Sequence, residues 1–211
     1  MSAAPSHRKF VSFDEYVEMA EKSAVKLDYI NGRVVNVSEL IAMAGGSGEH
    51  SLIISNLNRE AGNRLKGKPC RVYDSNLRIG PGFGRFICYP DATIICGERT
   101  TDPRDKSEQT FTNPIAVFEV LSPSTMEHDF GDKFAELRKI DTLREYVIVH
   151  QDRIDVRTFL RQDDGTWKLA FFTDRTGFVP LVSVGVQLSM TEIYDGIVFA
   201  AADDTTPPLP A

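Results

Sequence analysis

The segment Ile115-Ala116-Val117-Phe118-Glu119-Val120-Leu121 constrains this chain most. A strand shows its two faces at alternate residues, and here both sets are apolar, so the segment reads as a central strand covered on both sides. Glu119 interrupts it. A carboxylate in such a place loses much of its hydration unless it is neutralised, paired with a cation or bound to a metal. The residue by itself fits equally well a strand-end glutamate that forms a salt bridge or reaches solvent.

Asp91 has the same character. It lies in Tyr89-Pro90-Asp91-Ala92-Thr93-Ile94-Ile95-Cys96, among apolar residues, and Pro90 breaks the hydrogen-bond ladder as at an edge or bulge. If this strand pairs with the Glu119 strand, the two carboxylates converge at one end of a sheet. Two carboxylates plus waters suit Mg²⁺, which takes oxygen ligands, and a metal would also hold two neighbouring acids ionised. Downstream, Gly131 to Ile140 reads as a helix with the apolar stripe Phe134, Leu137 and Ile140. At about 100° per residue Lys133 borders that stripe, while Lys139 points to solvent. The Lys133 ammonium either reaches the acids or covers the edge of the core with its head in water.

Around this centre the chain reads as mixed α and β. Ser12 and Glu15 have capping-box spacing and open a helix over 12–24. Leu27–Ile30 and Val34–Val37 flank Asn31-Gly32, a hairpin turn. A connection over 39–48, rich in glycine, leads to a second helix with Ile53, Leu57, Ala61 and Leu65 on its core stripe. Strands are predicted at Arg71–Tyr73, Asn76–Ile79 and Phe86–Cys96, with a polar and mobile loop Gly97–Asn113 before the central strand. The order strand, helix, strand (Glu145–His150) makes the outer two parallel. A hairpin, Arg153–Leu160 and Trp167–Thr173, follows through Asp163-Asp164-Gly165, and Ser189 with Glu192 repeats the capping-box spacing before a closing helix to Ile197. A single domain over 12–200 is expected, with a flexible 1–11 and a disordered, acidic, Pro-rich tail over 201–211.

Composition excludes several classes. With 42% hydrophobic and 26% charged residues, the chain of 211 has enough apolar content for a core and no run long enough to span a membrane. MSAAPSHRKF lacks the apolar stretch of a signal peptide, so a cytoplasmic protein is expected. Cys70, Cys88 and Cys96 are too few and too irregularly spaced for a disulfide framework or a four-ligand zinc site, and an odd count fits a reducing compartment. A net charge of −6 argues against a non-specific nucleic-acid coat. The run Arg59, Arg64, Lys66, Lys68, Arg71, Arg78 and Arg85 nevertheless leaves room for a local phosphate-facing patch, or for an ordinary solvated face. The glycine-rich loop lacks the Gly-Lys-Ser/Thr ending of a P-loop.

The strings Tyr89-Pro90-Asp91, Phe118-Glu119-Val120-Leu121-Ser122-Pro123-Ser124-Thr125, Asp129-Phe130-Gly131-Asp132-Lys133-Phe134 and Leu143-Arg144-Glu145-Tyr146-Val147-Ile148-Val149 closely resemble the Uma2 family of restriction-endonuclease-like proteins, also called domain of unknown function 820. The resemblance spans most of 12–197, with Leu27-Asp28-Tyr29-Ile30-Asn31-Gly32 and Glu49-His50 near the family's hairpin and helix-opening histidine. It implies the PD-(D/E)XK nuclease fold, a central mixed β-sheet flanked by helices with an N-terminal helix and hairpin. It implies Asp91 and Glu119 as the metal-binding acids and the Val120 carbonyl as a third oxygen ligand. The superfamily's usual lysine would stand at Leu121, and Lys133 is the candidate for a lysine moved to the neighbouring helix. Asp28 and His50 complete the set as a further acid and a water- or phosphate-contacting group. The implied cofactor is Mg²⁺, with Mn²⁺ as a substitute, the implied partner is nucleic acid with DNA favoured, and a homodimer follows from superfamily members that cut both strands.

Two other classes compete. A nuclease-like scaffold that binds nucleic acid or a protein keeps the fold and drops the catalysis. A serine or cysteine hydrolase would draw on Ser122, Ser124 and His128, without a Gly-x-Ser-x-Gly elbow.

Overall fold

The computed structural model describes residues 10–37, 39, 47–82, 84–121 and 128–199, the side chains of 128–130 apart. Most of the flexible N-terminus and the glycine-rich connection, all of the acidic tail, and Ser122 and Ser124 lie outside the described residues.

Helix α1 (Phe13–Lys22) begins where its capping box predicts: Ser12 Oγ accepts from the Glu15 N–H, and the Glu15 carboxylate accepts from the Ser12 N–H. Strands β1 (Leu27–Ile30) and β2 (Arg33–Asn36) turn at Asn31 and Gly32, with φ of 48° and 87°. This is the double positive-φ turn that Asn-Gly tolerates. A Cβ on Gly32 would come within 2.2 Å of the Phe10 ring. We expect Gly32→Ala to lower stability by about 1–3 kcal/mol in urea unfolding, and an unchanged midpoint would contradict this turn. Strand β5 (Phe86–Ile87) pairs on the other side of β1, and α1 packs Phe13 and Tyr16 against Tyr29 and Ile87 of this small sheet.

The main sheet has six strands in the order β11-β10-β9-β8-β6-β3. They are β3 (Cys70–Asp74), β6 (Ala92–Cys96), β8 (Pro114–Leu121), β9 (Glu145–His150), β10 (Val156–Arg161) and β11 (Trp167–Phe172). Only β8 and β9 run parallel in this sheet. Strand β8 sits inside the sheet as its two apolar faces require. Ala116, Phe118 and Val120 join the layer of α2 (Gly48–Arg64), while Val117 and Leu121 join Leu137 and Ile140 on the opposite face. The predicted α2 stripe, Ile53, Leu57, Ala61 and Leu65, is buried throughout. A hairpin of β12 (Phe178–Leu181) and β13 (Val186–Ser189) closes the α2 layer and was not legible in the sequence.

Several expectations need correction. The predicted strand Phe86–Cys96 is two, β5 and β6, because the chain turns at Tyr89-Pro90-Asp91 to change sheets. The third helix is short: a π-helical turn His128–Lys133 runs into α3 (Phe134–Leu137), and the chain leaves helical geometry before Ile140. The closing helix α4 (Met190–Ile193) is capped by Ser189 without a side-chain hydrogen bond, so the second capping box does not form. Cys70 stands opposite Cys96 across β3 and β6, and the two form a disulfide, leaving Cys88 as the buried thiol. Linear spacing hides a pairing that strand register creates, and the cysteine count therefore no longer points to a reducing compartment. No described helix is long and apolar enough to cross a membrane.

Two further corrections are electrostatic. The loop 97–113 is tethered: it carries β7 (Thr110–Phe111), which runs parallel to β4 (Arg78–Ile79), and Asp105 forms a buried ion pair with Arg78 at 2.6 Å. The basic run is largely consumed within the fold. Arg59 pairs with Glu60 and Asp195, Arg64 with Glu192, and Arg71 donates to the Lys68 and Cys70 carbonyls. Arg59 and Arg64 attach the acidic C-terminal segment to α2, which is the bland reading of that run.

Candidate active site

Glu119 lies on the β8 face covered by the crossover segment, and it is 2% exposed. Its Oε1 accepts from the Lys133 ammonium at 3.2 Å, and the same ammonium stands 3.7 Å from Asp28 Oδ2. Lys133 is itself buried, so the helical wheel was right to place it at the sheet. Unscreened by water, an ammonium between two carboxylates offsets a desolvation that neither acid could sustain alone. Asp28 is fully buried in β1 and takes a second bond from the Tyr89 N–H at 3.1 Å.

The antiparallel register of β6 on β8 pairs Ala92 with Phe118, which brings Asp91 alongside the Glu119 position. Asp91 Oδ2 accepts the Val120 N–H at 2.7 Å. From the other layer, the start of α2 presents His50, fixed by Ser47 Oγ on its backbone N–H. His50 Nε2 is 3.0 Å from the Val120 carbonyl and 3.7 Å from Asp91 Oδ2. A carbonyl only accepts, so Nε2 carries a proton. The Asp91 and His50 side chains keep 14% and 13% of their surface, against 2% for Glu119. The cluster therefore has a sealed floor, Glu119, Lys133 and Asp28, and an open rim, Asp91 and His50. All the site residues singled out in the sequence meet at this one end of the sheet.

The donors offered are carboxylate and carbonyl oxygens, the hard ligands that Mg²⁺ takes. Among the described residues no three Asp, Glu, His or Cys side chains are gathered into a ready-made metal cage. One or two carboxylates completed by water and substrate oxygens is the usual arrangement for this ion, and the residues fit that mode.

Comparison with known proteins agrees with this architecture. The Uma2 family model, described as "Putative restriction endonuclease", matches residues 13–191. The chain belongs to the Uma2 family. The uncharacterized protein slr1290 of Synechocystis sp. is 33% identical over 192 residues, covering 90% of this chain and 94% of that protein. A second uncharacterized Synechocystis protein, sll1609, is 29% identical over 161 residues, covering 76% and 86%. Among solved structures, the crystal structure titled as a putative nuclease belonging to DUF820 from Anabaena variabilis superposes with a TM-score of 0.67. Identity is 19%, with 87% of this chain and 97% of that one covered, a likeness of fold.

In this Uma2 chain, the position two residues after Glu119 is the buried Leu121, and the lysine near the acid comes from the crossover segment instead. Lys26, just before β1, was missed. Its ammonium donates to Ser75 Oγ at 2.9 Å and lies 6.0 Å from the centre of the Tyr89 ring. Burial lowers its pKa, opposed by the charges of Asp74, Asp91 and Asp28. Its place beside Asp28 in sequence was the available signal, but a lysine before a strand is common. Tyr89 was also missed: Arg78 hydrogen-bonds its phenol, so the Asp105–Arg78 pair braces the turn that carries Asp91.

Proposed function

We propose that this Uma2 protein is a Mg²⁺-dependent endonuclease that hydrolyses phosphodiester bonds of nucleic acid. DNA is favoured, in keeping with the family's description as restriction endonucleases. The observation that carries the reading is a buried lysine held between Glu119 and Asp28 immediately below a partly open Asp91. In this reading Asp91 and Glu119 hold the ion, with the Val120 carbonyl as third oxygen and Asp28 as a further acid. Bound there, Mg²⁺ or Mn²⁺ supplies Lewis-acid polarisation of the phosphate and a water of lowered pKa. Lys133 orients the attacking water and stabilises the negative charge that grows on the phosphoryl oxygens. His50, at the rim, contacts water or phosphate from the side opposite the lysine.

Lys26 fits a contact to a non-bridging phosphate oxygen, since its ammonium has donors beyond the bond to Ser75. Charge-assisted bonds contribute enough that Lys26→Met should lower kcat/KM about tenfold, mostly through KM. Unchanged kinetics would assign Lys26 to packing against Tyr89. Cutting both strands calls for two active sites, so the reading includes a homodimer.

Purified protein incubated with plasmid, single-stranded DNA and RNA, with Mg²⁺ or Mn²⁺, tests the reading. Cleavage that stops in excess chelator is expected, and cleavage that persists there would end it. A second reading, a nuclease-like module that only binds, is favoured by one observation: Glu119 and Asp28 are already neutralised by Lys133 without a metal. It requires that titration with Mg²⁺ or Mn²⁺ show no saturable site sensitive to Asp91→Asn.

A further inference from the structure

Beside the tip of the β1–β2 hairpin, on the far side of Tyr29 from Asp28, lies a cavity of about 590 Å³. That is within the roughly 300–1,000 Å³ of sites that enclose a small molecule. Its walls include the side chains of Arg85 and Arg104 and the rings of Phe10 and Phe13, and none of its lining residues is acidic. The nearby Glu15 carboxylate is engaged by the Ser12 N–H and Oγ in the cap of α1.

Each wall is held in place. The Arg104 guanidinium lies 4.8 Å from the centre of the Phe13 ring. It lies against Gly84, where φ is 63° and a Cβ would stand 2.5 Å from the guanidinium. The Asn31 N–H donates to the Arg85 carbonyl at 2.8 Å, fixing the backbone from which that exposed side chain projects. Phe10 packs its ring over Gly32 yet stays 71% exposed. In a chain of net charge −6, an acid-free cavity with two guanidinium groups selects for an anion. The exposed ring beside them selects for a flat π surface.

The cavity borders the candidate active site. Asn31 follows Asp28 by three residues, a span of about 10 Å at the rise of a strand. The hairpin tip is also tied to the segment bearing Lys133, through Asn31 to Glu136 at 3.0 Å and Arg33 to Asp132 at 2.7 Å.

We propose that this cavity is a nucleotide subsite, which takes an unpaired base of a nucleic-acid strand on the Phe10 ring and its flanking phosphate between Arg85 and Arg104. Its role as a neighbour of the scissile phosphate rests on the nuclease reading, whereas its binding does not.

The test is fluorescence anisotropy of a labelled single-stranded oligonucleotide and a blunt duplex with the full chain in excess chelator, where no metal-dependent cleavage competes. Phe10→Ala should raise the single-strand Kd about tenfold and leave duplex binding nearly unchanged, with Phe10→Tyr restoring it. Arg85→Gln should weaken binding about threefold and flatten its salt dependence by about one phosphate contact. Both positions are exposed, so urea midpoints should match wild type and fold loss is read separately. Wild-type affinity in both variants overturns the proposal, as does an Arg85 effect reproduced by inorganic phosphate with no Phe10 effect. Asp91→Asn should bind the strand as wild type does, so a wild-type protein that never cleaves leaves this result standing and defeats only the nuclease reading.

Discussion

Asp91→Asn and Glu119→Gln should keep the wild-type fold and lose Mg²⁺-dependent cleavage by at least about 10²–10³-fold, the scale for removing one well-placed electrostatic group from an active site. The amides are chosen for their geometry. The Asp91→Asn side chain would still offer an oxygen to the Val120 N–H, which Asp91 now holds at 2.7 Å. The Glu119→Gln side chain would likewise keep an acceptor for the Lys133 ammonium. What each loses is the charge that a divalent cation needs. Alanine at either position should abolish cleavage too, at some cost in stability. Asp91→Ala leaves a backbone N–H without its acceptor, worth about 1–3 kcal/mol if no water replaces it. Circular dichroism and urea unfolding separate the two effects. Full cleavage by both amide variants would remove these acids from the chemistry.

The largest expected effect on stability lies outside the site. Asp105→Ala should destabilise the fold by about 3–5 kcal/mol in urea unfolding, because it leaves the Arg78 guanidinium buried without its partner. Asp105 is almost fully enclosed and accepts from Arg78, from the Ser107 and Thr110 N–H groups and from Ser107 Oγ. Removing the charge on both sides, as Arg78→Met with Asp105→Ala, should recover part of the loss, since a buried pair replaced by apolar groups is often near neutral. Equal destabilisation in the single and double variants would show that packing, not the stranded charge, is responsible. Arg78 also braces Tyr89, so the single variant should lose cleavage at temperatures where it remains folded.

The same pair sets an acid limit. Burial pushes the Asp105 carboxyl up, but hydrogen bonds from Ser107 and Thr110 and the charge of Arg78 outweigh it and bring the pKa from 3.8 to about 2. A carboxylate with a folded pKa below its unfolded one stabilises the fold above the unfolded value. That contribution is present in full above about pH 4 and fades as the pH falls toward 2. Acid unfolding of the Arg78→Met, Asp105→Ala protein should therefore lack this component, measured as a flatter dependence of stability on pH between those values.

Local pattern carried much of this molecule. The double apolar faces of β8 placed it inside the sheet, the Ser12–Glu15 spacing set the start of α1, Asn31-Gly32 made the hairpin turn, and the wheel position of Lys133 put it on the sheet. Each depends on residues within a few positions of one another, where side-chain direction follows from helix or strand period. The tertiary structure alone decided what meets across the chain. Strand register joined Cys70 to Cys96 and set Asp91 beside Glu119. Burial of Asp105 on Arg78 tethered a loop whose polar composition suggested freedom, and Glu192 and Asp195 took up arginines that read as a phosphate patch. Lys26 became part of the acid cluster only because β1 delivers it there. Such pairings depend on packing between segments far apart in the chain, and the period of a single segment does not encode the register of its neighbour.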